Sequence, residues 1–400
     1  MSLFQLVLKS LRQHALSTWV TALSIALAGG LLMSVWAVKT QSNQTFTNVT
    51  GGFDAVLGAR GSKLQLVLNA IYHLEASPGN LAWQDYLDAR AMPAVQVAIP
   101  LALGDNYQGY RVVGTSTNLF TDVNYAPGRK LSAATGRIFH AGYREAVLGS
   151  FAAQRLGLRM GGQFRPYHGL IFNPDDQHEE TYVVVGILEP SNSPVDRVIW
   201  IPLEGVQNMT GHDPKAAADI SAVLLKLRSP VAGQQMELLY NKQGNRLTFA
   251  WPIGLIMAQL FDKIGWFDRV LAVVAYLVAA VATGSILASI YNSMNERRRD
   301  FAILRALGAR RFTVFGIIVL ESVLIAALGM LLAFGIYLAI MNGAATVIRA
   351  QTGVVLNPFA WHPVMLWAPL GMIAAAALAG IVPAVKAYRT DVASHLVPAS

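Results

Sequence analysis

The sequence predicts an α-helical membrane protein with four transmembrane helices and one mixed α/β extracytoplasmic domain inserted between helices one and two. Three observations predict this fold class. Four apolar stretches are each long enough to cross a hydrocarbon core, which takes about 20 helical residues. One large polar block separates the first stretch from the second. Only 14% of the 400 residues are charged, against roughly 25% in soluble domains. The four stretches are 16–38, 270–290, 314–340 and 364–385.

The first of three predicted parts of the chain, 1–38, contains a cytoplasmic N-terminus followed by helix one. Its apolar run follows Lys9 and Arg12. The run is longer than the roughly 7–15 apolar residues of a signal peptide. We therefore expect an uncleaved membrane anchor.

The second part, 39–269, is predicted to be the outer domain, with a stalk helix at each end. Helix one is expected to continue until Gly51-Gly52, and the apolar residues of 253–264 have helical spacing. Runs rich in β-branched and aromatic residues predict strands, which Gly and Pro turns separate. Segment 58–63 resembles a phosphate loop but lacks its spacing, so we interpret it as a flexible turn. The predicted strands are 95–103, 110–114, 146–148, 182–188, 198–201 and 222–227, and the predicted helices are 81–90, 151–156 and 236–242.

The third part, 270–400, is predicted to contain helices two to four, a cytoplasmic coupling segment at 292–311 and a tail at 386–400. Most of the net charge of +8 lies beside one end of each helix. Because positive loops stay in the cytoplasm, both termini are expected inside and the outer domain outside. The charge is thus a sign of topology and does not indicate nucleic-acid binding. The basic residues are Lys9, Arg12, Arg297, Arg298, Arg299, Arg305, Arg310, Arg311, Lys386 and Arg389.

Cysteine is missing from the sequence. An outer domain in an oxidising compartment can carry disulfides. This one is expected to fold on its hydrophobic core alone, which a domain of this length can provide.

Small residues recur at four-residue spacing in three of the apolar stretches, in helix four as Gly371, Ala375 and Ala379. Such a stripe lets helices approach closely in lipid. The spacing leaves open whether the partner helix belongs to the same chain or to another. The helix-packing candidates are Ala22, Ala26 and Gly30 in helix one, and Ala280, Gly284 and Ala288 in helix two.

The coupling segment has the pattern with the most mechanistic information. Phe301, Leu304 and Leu307 share one face of a short predicted helix, and Gly308 lies where a helix commonly ends. An apolar helix face of this kind can bind in a groove of a partner. The alternative is that the arginines only fix the topology. The residues expected to contact a partner are Glu296, Arg297, Arg298, Arg299, Phe301, Leu304, Arg305, Leu307 and Gly308.

This segment also resembles a known family. Residues 296–310 read Glu-Arg-Arg-Arg-Asp-Phe-Ala-Ile-Leu-Arg-Ala-Leu-Gly-Ala-Arg, which is similar to the signature of FtsX/MacB-type ABC transporter permeases. The resemblance extends to the amino end, the outer domain and the carboxyl end. The similar segments are 6–28, 110–120, 136–139, 146–164, 183–203 and 383–396.

The resemblance implies mechanotransmission in a bacterial inner membrane. A cytoplasmic ABC ATPase dimer would bind ATP and Mg, and a dimer of permeases, identical or not, would move the periplasmic domains. A periplasmic adaptor or substrate-binding protein would be a further partner. We expect a non-catalytic transport subunit without a cofactor of its own, because we find no phosphate loop and no catalytic constellation. The alternative is a non-transporting transmembrane regulator that activates a periplasmic cell-wall hydrolase, and the size of the outer domain favours transport.

Glu321 lies well inside helix three, where an ionisable residue is a functional candidate. No second intramembrane acid is available for a proton relay. We therefore interpret Glu321 as a hydrogen-bonded helix contact, with Thr283 or Ser285 as its expected partner.

An acidic loop with one histidine offers carboxylate and imidazole groups, which are competent metal ligands. The metal candidates are Asp175, Asp176, His178, Glu179 and Glu180. A solvated turn after Asn173-Pro174 is the favoured interpretation of this loop.

Overall fold

The computed structural model of the chain describes residues 3–210, 218–296, 303, 305 and 308–389. Its contacts divide the chain into two units. The helical unit comprises Met1–Gln41, Ile264–Ala345 and Asn357–Ser400, and the α/β unit comprises Ser42–Lys263 and Thr346–Leu356. Four apolar helices and a mixed α/β domain between the first and second of them confirm the predicted fold class.

The helices of the described residues are numbered here in chain order. They are α1 (Leu3–Gln13), α2 (Ala15–Asn48), α3 (Lys63–Ala70), α4 (Trp83–Ala91), α5 (Asn118–Thr121), α6 (Ser150–Leu156), α7 (Leu203–Gln207), α8 (Pro230–Glu237), α9 (Ile253–Glu296), α10 (Arg311–Thr352) and α11 (Val364–Arg389). Two 3₁₀ turns lie at Pro174–Asp176 and Pro194–Arg197, and a π-helical turn lies at Leu238–Gln243.

The strands are likewise numbered in chain order. They are β1 (Ala55–Ala59), β2 (Val95–Tyr107), β3 (Tyr110–Thr115), β4 (Asn124–Ala126), β5 (Arg129–Lys130), β6 (Ala133–Gly136), β7 (Glu145–Leu148), β8 (Gln163–Phe164), β9 (Tyr167–His168), β10 (Tyr182–Leu188), β11 (Ile199–Pro202), β12 (Ala222–Leu227) and β13 (Leu247–Ala250).

In the helical unit, the four apolar stretches lie in α2, α9, α10 and α11. Three of these helices extend beyond the predicted stretches: α2 ends at Asn48, α9 begins at Ile253 and α10 ends at Thr352. Apolar side chains of all four helices meet in one core, because a membrane helix still buries one face against its neighbours. Core members are Ile25, Ile286, Ile317 and Ala376.

The short helix α1 precedes the membrane-length helices and was not among the predicted elements. Val7 and Ser10 are buried, whereas Lys9 and Arg12 are exposed. One buried face and one charged face make α1 amphipathic. Its apolar side belongs to the core of the helical unit.

The α/β unit is formed on one large sheet. Its strands follow the order β13-β1-β12-β2-β3-β11-β7-β10-β6, with β8 paired to β10 and β9 paired to β2. Most neighbours are antiparallel, but β11 pairs with β3 and β10 pairs with β7 in parallel. All six predicted strands lie in this sheet, whereas its other five strands were not predicted, namely β1, β6, β8, β9 and β13.

Both faces of the sheet are buried, because successive residues of a strand point to opposite faces. In β11, Ile199 and Ile201 belong to one buried cluster and Trp200 belongs to the other. Helices α4, α7 and α8 contribute to the first cluster, and α3 and the start of α9 contribute to the second. The α/β unit therefore has three layers, with helices on either side of the sheet.

The segment 58–63 is not the flexible turn that the sequence indicated. Gly58 lies inside β1, and Lys63 begins α3. A Cβ atom at Gly58 would lie 2.1 Å from Cδ2 of Leu66. The glycine is needed there because α3 packs directly on the strand.

The end of α10 and the loop after it, Thr346–Leu356, belong to the α/β unit. The Arg197 guanidinium donates to the carbonyl of Gln351, and the Arg349 guanidinium lies 5.4 Å from the ring centroid of Phe151. Gly353 has a φ of +77°, and a Cβ atom there would lie 2.7 Å from the carbonyl oxygen of Ser193. The predicted limits of 39–269 and 270–400 assign this segment to the helices, so the division of the folded chain differs from them here.

Candidate functional site

Most of the predicted coupling segment lies outside the described residues. This applies to Arg297, Arg298, Arg299, Phe301, Leu304 and Leu307, and Glu296 is described only as the last residue of α9. Arg305 is helical. Gly308 has a φ of +96°, and its N–H donates to the carbonyl of Arg305 at 3.0 Å. This left-handed conformation suits glycine, and α10 begins three residues later.

Glu321 connects α10 to α1. Its side chain is buried, and the hydroxyl of Ser10 donates to Oε1 at 2.8 Å. The predicted partners were Thr283 and Ser285, but the Thr283 hydroxyl donates to the carbonyl of Ala279 within α9 at 2.9 Å. The interpretation of Glu321 as a hydrogen-bonded helix contact is consistent with this geometry, although the partner differs.

The predicted small-residue stripes of helices one and two lie in different surroundings. Ala22, Ala26 and Gly30 are buried on α2. A Cβ atom on Gly30 would lie 2.7 Å from Cγ2 of Ile336 on α10, so these two helices are in close contact. On α9, by contrast, Ala280, Gly284 and Ala288 face outward among the described residues, and the buried face of that helix carries Ala282, Ile286 and Ile290.

A cluster of two histidines and one aspartate lies in the α/β unit. Asp105 belongs to β2, His168 to β9, and His178 follows the 3₁₀ turn at Pro174–Asp176. Strand pairing brings the first two together, since Asp105 is the register partner of His168. The N–H of His178 donates to the carbonyl of Pro166 at 2.9 Å, which holds the third chain segment beside β9.

The side chains of this cluster converge on one carboxylate oxygen. Oδ1 of Asp105 lies 3.2 Å from Nε2 of His178 and 3.5 Å from Nδ1 of His168. Asp105 is fully buried, the side chain of His178 is 4% exposed, and that of His168 is 57% exposed. Burial alone would lower the pKa of His178, but the hydrogen bond and the charge of Asp105 raise it above its ordinary value.

Four of the five predicted metal candidates lie away from this cluster. Asp175 and Asp176 are exposed in the 3₁₀ turn, and Glu179 is exposed after it. Glu180 accepts hydrogen bonds from the backbone N–H and the hydroxyl of Thr210. Of the predicted candidates, His178 alone belongs to the group that the described residues form.

Asp105 and His168 were missed because strand register, and not sequence proximity, brings them to His178. One signal was available in the sequence. Asp105 and Asn106 are polar residues shortly after the apolar run 97–103 of the same strand. Buried polar groups need partners, and both Asp105 and Asn106 are fully buried.

A second polar feature of the α/β unit is a cavity of about 190 Å³. Among the described residues, Nη1 of Arg111, Nε of Arg197 and Nδ1 of His73 are buried without a hydrogen-bond partner. Two guanidinium groups in one cavity make it suited to a small anion or a polar oxygen. The cavity lining includes Tyr72, His73, Tyr110, Arg111, Arg197 and Gln351.

Comparisons with known proteins show a similarity to one family over part of this chain. Residues 272–392 match the family model described as FtsX-like permease C-terminal. A comparison with curated proteins gives no match. The crystal structure of the periplasmic region of MacB from Actinobacillus actinomycetemcomitans is 13% identical, with a TM-score of 0.34, over 53% of this chain and 94% of that chain.

A second solved structure is the extracellular domain of the noncanonic ABC-type transporter YknZ from Gram-positive bacteria. It is 15% identical, with a TM-score of 0.30, over 49% of this chain and 99% of that chain. The range matched by the family model, 272–392, contains α10, α11 and the whole of 292–311. Residues 272–392 are thus similar to the FtsX-like permease C-terminal family.

Proposed function

We propose that this chain is the permease subunit of an ABC-type transporter that works by mechanotransmission. A separate cytoplasmic ATPase hydrolyses ATP, and the chain passes the resulting movement to its α/β unit, where a substrate is exported or extracted. The match of residues 272–392 to the FtsX-like permease family carries this proposal. The matched range includes the predicted coupling segment at 292–311.

Helix continuity supports the mechanical part of the proposal. Helices α2 and α9 each run unbroken from an apolar, membrane-length portion into residues of the α/β unit. Backbone hydrogen bonds run along the axis of an α-helix and stiffen it. A displacement at one end of either helix is therefore carried to its other end.

The proposed setting is a bacterial inner membrane, with both termini cytoplasmic and the α/β unit periplasmic. The chain acts beside a second permease copy and contributes no hydrolytic step. ATP and Mg bind to the ATPase dimer. Glu321 and Ser10 fix α1 to α10, so α1 moves together with the helix that follows the coupling segment.

The coupling segment is the place to test the proposal. The double variant Arg298→Glu with Leu304→Asp reverses one charge and places a carboxylate on the apolar face. We expect this variant to lose ATP turnover in the complex purified with its ATPase from the native membrane, because both changes fall on the surface proposed to bind the ATPase. The measurement is phosphate release per complex.

A matched control makes the same two exchanges at exposed positions of the α/β unit. Arg159→Glu with Leu238→Asp should keep ATP turnover at the wild-type rate, since both side chains are exposed there. Equal turnover in the two double variants removes the coupling role. A purified assembly without any ATPase removes the proposed function itself.

A further inference from the structure

We propose that Asp105, His168 and His178 form a binding site for a divalent transition-metal ion, with zinc as the best fit. The site lies in the α/β unit and is separate from the coupling segment. Its donors are two imidazole nitrogens and one carboxylate oxygen, which all lie within 4.8 Å of one another. Zinc commonly takes three protein ligands of this kind and keeps a fourth position for water or another ligand.

The spacing of the donor atoms agrees with tetrahedral coordination. Bonds of 2.0–2.2 Å from zinc to nitrogen and oxygen place neighbouring ligand atoms roughly 3.3–3.5 Å apart. Oδ1 of Asp105 lies 3.2 Å from Nε2 of His178 and 3.5 Å from Nδ1 of His168. One of these two edges of the ligand triangle has the required length, and the other is about 0.1 Å shorter. The third edge joins the two histidines, and the exposed ring of His168 can close it by side-chain rotation.

The hydrogen bond of Nδ1 of His178 orients the imidazole ring for metal binding through Nε2. Its Nδ1 lies 2.7 Å from the carbonyl oxygen of Thr210. A carbonyl oxygen only accepts, so Nδ1 must carry the hydrogen and Nε2 is the nitrogen directed at Asp105. Histidines that bind metals characteristically donate their other ring N–H to such a carbonyl or to a carboxylate.

The backbone holds two ligands in place and leaves the third accessible. Asp105 is fixed by the pairing of β2 with β9 and β3, and the neighbouring Asn106 amide donates to the carbonyl of Gly169 at 2.9 Å. His178 is fixed by Thr210 and by its own N–H bond to Pro166. Preorganised ligands lose little freedom when the ion binds. His168 is exposed and gives the ion a route from solvent.

The test uses the full chain in detergent after treatment with a chelator. Zinc is titrated in competition with a chromophoric chelator, and cobalt is added separately to record its visible absorption. We expect the wild-type chain to bind one zinc ion. The His168→Gln variant should bind zinc with an affinity at least about tenfold weaker than that of the wild type. The His168 side chain is exposed, so this variant should keep the metal-free thermal unfolding midpoint of the wild type.

The control is His140→Gln, which removes another exposed histidine beside a carboxylate. Nδ1 of His140 lies 3.6 Å from Oε2 of Glu145, and its side chain is 64% exposed. This variant should bind zinc as the wild type does and keep the tetrahedral cobalt spectrum. Equal zinc affinity in His168→Gln and the wild type, or no binding by the wild type, overturns the site. The cluster is then an imidazolium–carboxylate pair only.

Neither readout involves ATP turnover. Failure of the metal site therefore leaves the proposed function untouched, and failure of the proposed function leaves the metal site untouched.

Discussion

His73 shows how the α/β unit places an ionisable side chain in an unfavourable setting. It is buried, its ring meets Trp200 edge-on with centroids 5.7 Å apart, and its backbone φ is +55°. Burial, and then the positive charges of Arg111 and Arg197, lower the pKa of His73 to about 3. The folded chain therefore holds this histidine neutral at pH values where an unfolded chain protonates it.

The low pKa of His73 predicts a loss of stability in mild acid. The folded-state pKa lies below the unfolded value of about 6.5, so the stabilisation is complete above pH 6.5 and declines as the pH falls toward 3. We expect His73→Asn to remove about 2 kcal/mol of the decline in unfolding free energy between pH 7.5 and 5. Asparagine tolerates a positive φ. The measurement is the thermal unfolding midpoint of the full chain at the two pH values.

The variant Trp200→Phe is a control that distinguishes the effect of His73 protonation from the effect of lost packing. The variant removes part of the contact between the two rings but keeps His73. It should therefore have a lower unfolding midpoint at both pH values, and its unfolding free energy should still decline between pH 7.5 and 5 as in the wild type. A His73→Asn protein with the full wild-type decline contradicts the prediction.

At the residue scale, the sequence predicted which side chains are functional candidates better than it predicted the residues that they contact. His178 was a metal candidate because of its acidic neighbours, yet its neighbours in space are Asp105 and His168. Glu321 was expected to form a helix contact, yet its partner Ser10 lies on a helix that the sequence analysis did not predict. In both cases the residue type is visible in the sequence, whereas the partner depends on a register or a helix packing that spans most of the chain.

At the scale of elements, the packing of α2 against α10 depends on glycine from both helices. Gly30 on α2 is one of these glycines, and Gly329 on α10 is the other. A Cβ atom on Gly329 would lie 2.8 Å from the carbonyl oxygen of Ala22 and 2.7 Å from Cβ of Ile25. The first of these is a backbone atom and cannot rotate away. The two helices therefore pack closely enough for a single added side chain to separate them.

Gly329→Val should separate α2 from α10 and destabilise the helical unit by about 1–3 kcal/mol, the usual cost of overpacking. We expect a lower unfolding midpoint of the full chain in detergent. Gly335→Val is the matched control on the same helix, since a Cβ atom at Gly335 has open space around it within the described residues. Equal midpoints for the two variants would refute the proposed close packing.

The small-residue pattern predicted this packing only in part. The stripe on helix one does lie against another helix of the chain, while the stripe on α9 is exposed among the described residues. Small residues permit close approach but do not specify the neighbour. The six strands were predictable because their apolar composition is local, whereas β1, β6, β8, β9 and β13 of the same sheet were not predicted.

For the whole molecule, the four membrane-length helices followed directly from the sequence. Apolar length is a local property, and the bilayer sets the number of residues required. The division into units was harder, because Thr346–Leu356 joins the α/β unit by packing on residues far away in the chain. Composition gives no sign of such an attachment.

The orientation is a prediction for the whole molecule. Ten basic residues flank the predicted cytoplasmic ends of the helices, so a reporter that is active only in the cytoplasm should be active when fused after Ser400. The same reporter inserted at the exposed turn of Gly142-Tyr143 should be inactive. Activity at the turn and none at the terminus would reverse the topology.

The attachment of Thr346–Leu356 has a practical consequence for anyone who excises the α/β unit as a soluble fragment. A piece cut at 42 and 263 leaves this peptide behind. The guanidinium of Arg197 then loses the carbonyl of Gln351, and the ring of Phe151 loses the guanidinium of Arg349. One wall of the arginine-lined cavity disappears with Gln351. Binding studies on such a truncated domain would probe a surface that the intact protein does not present.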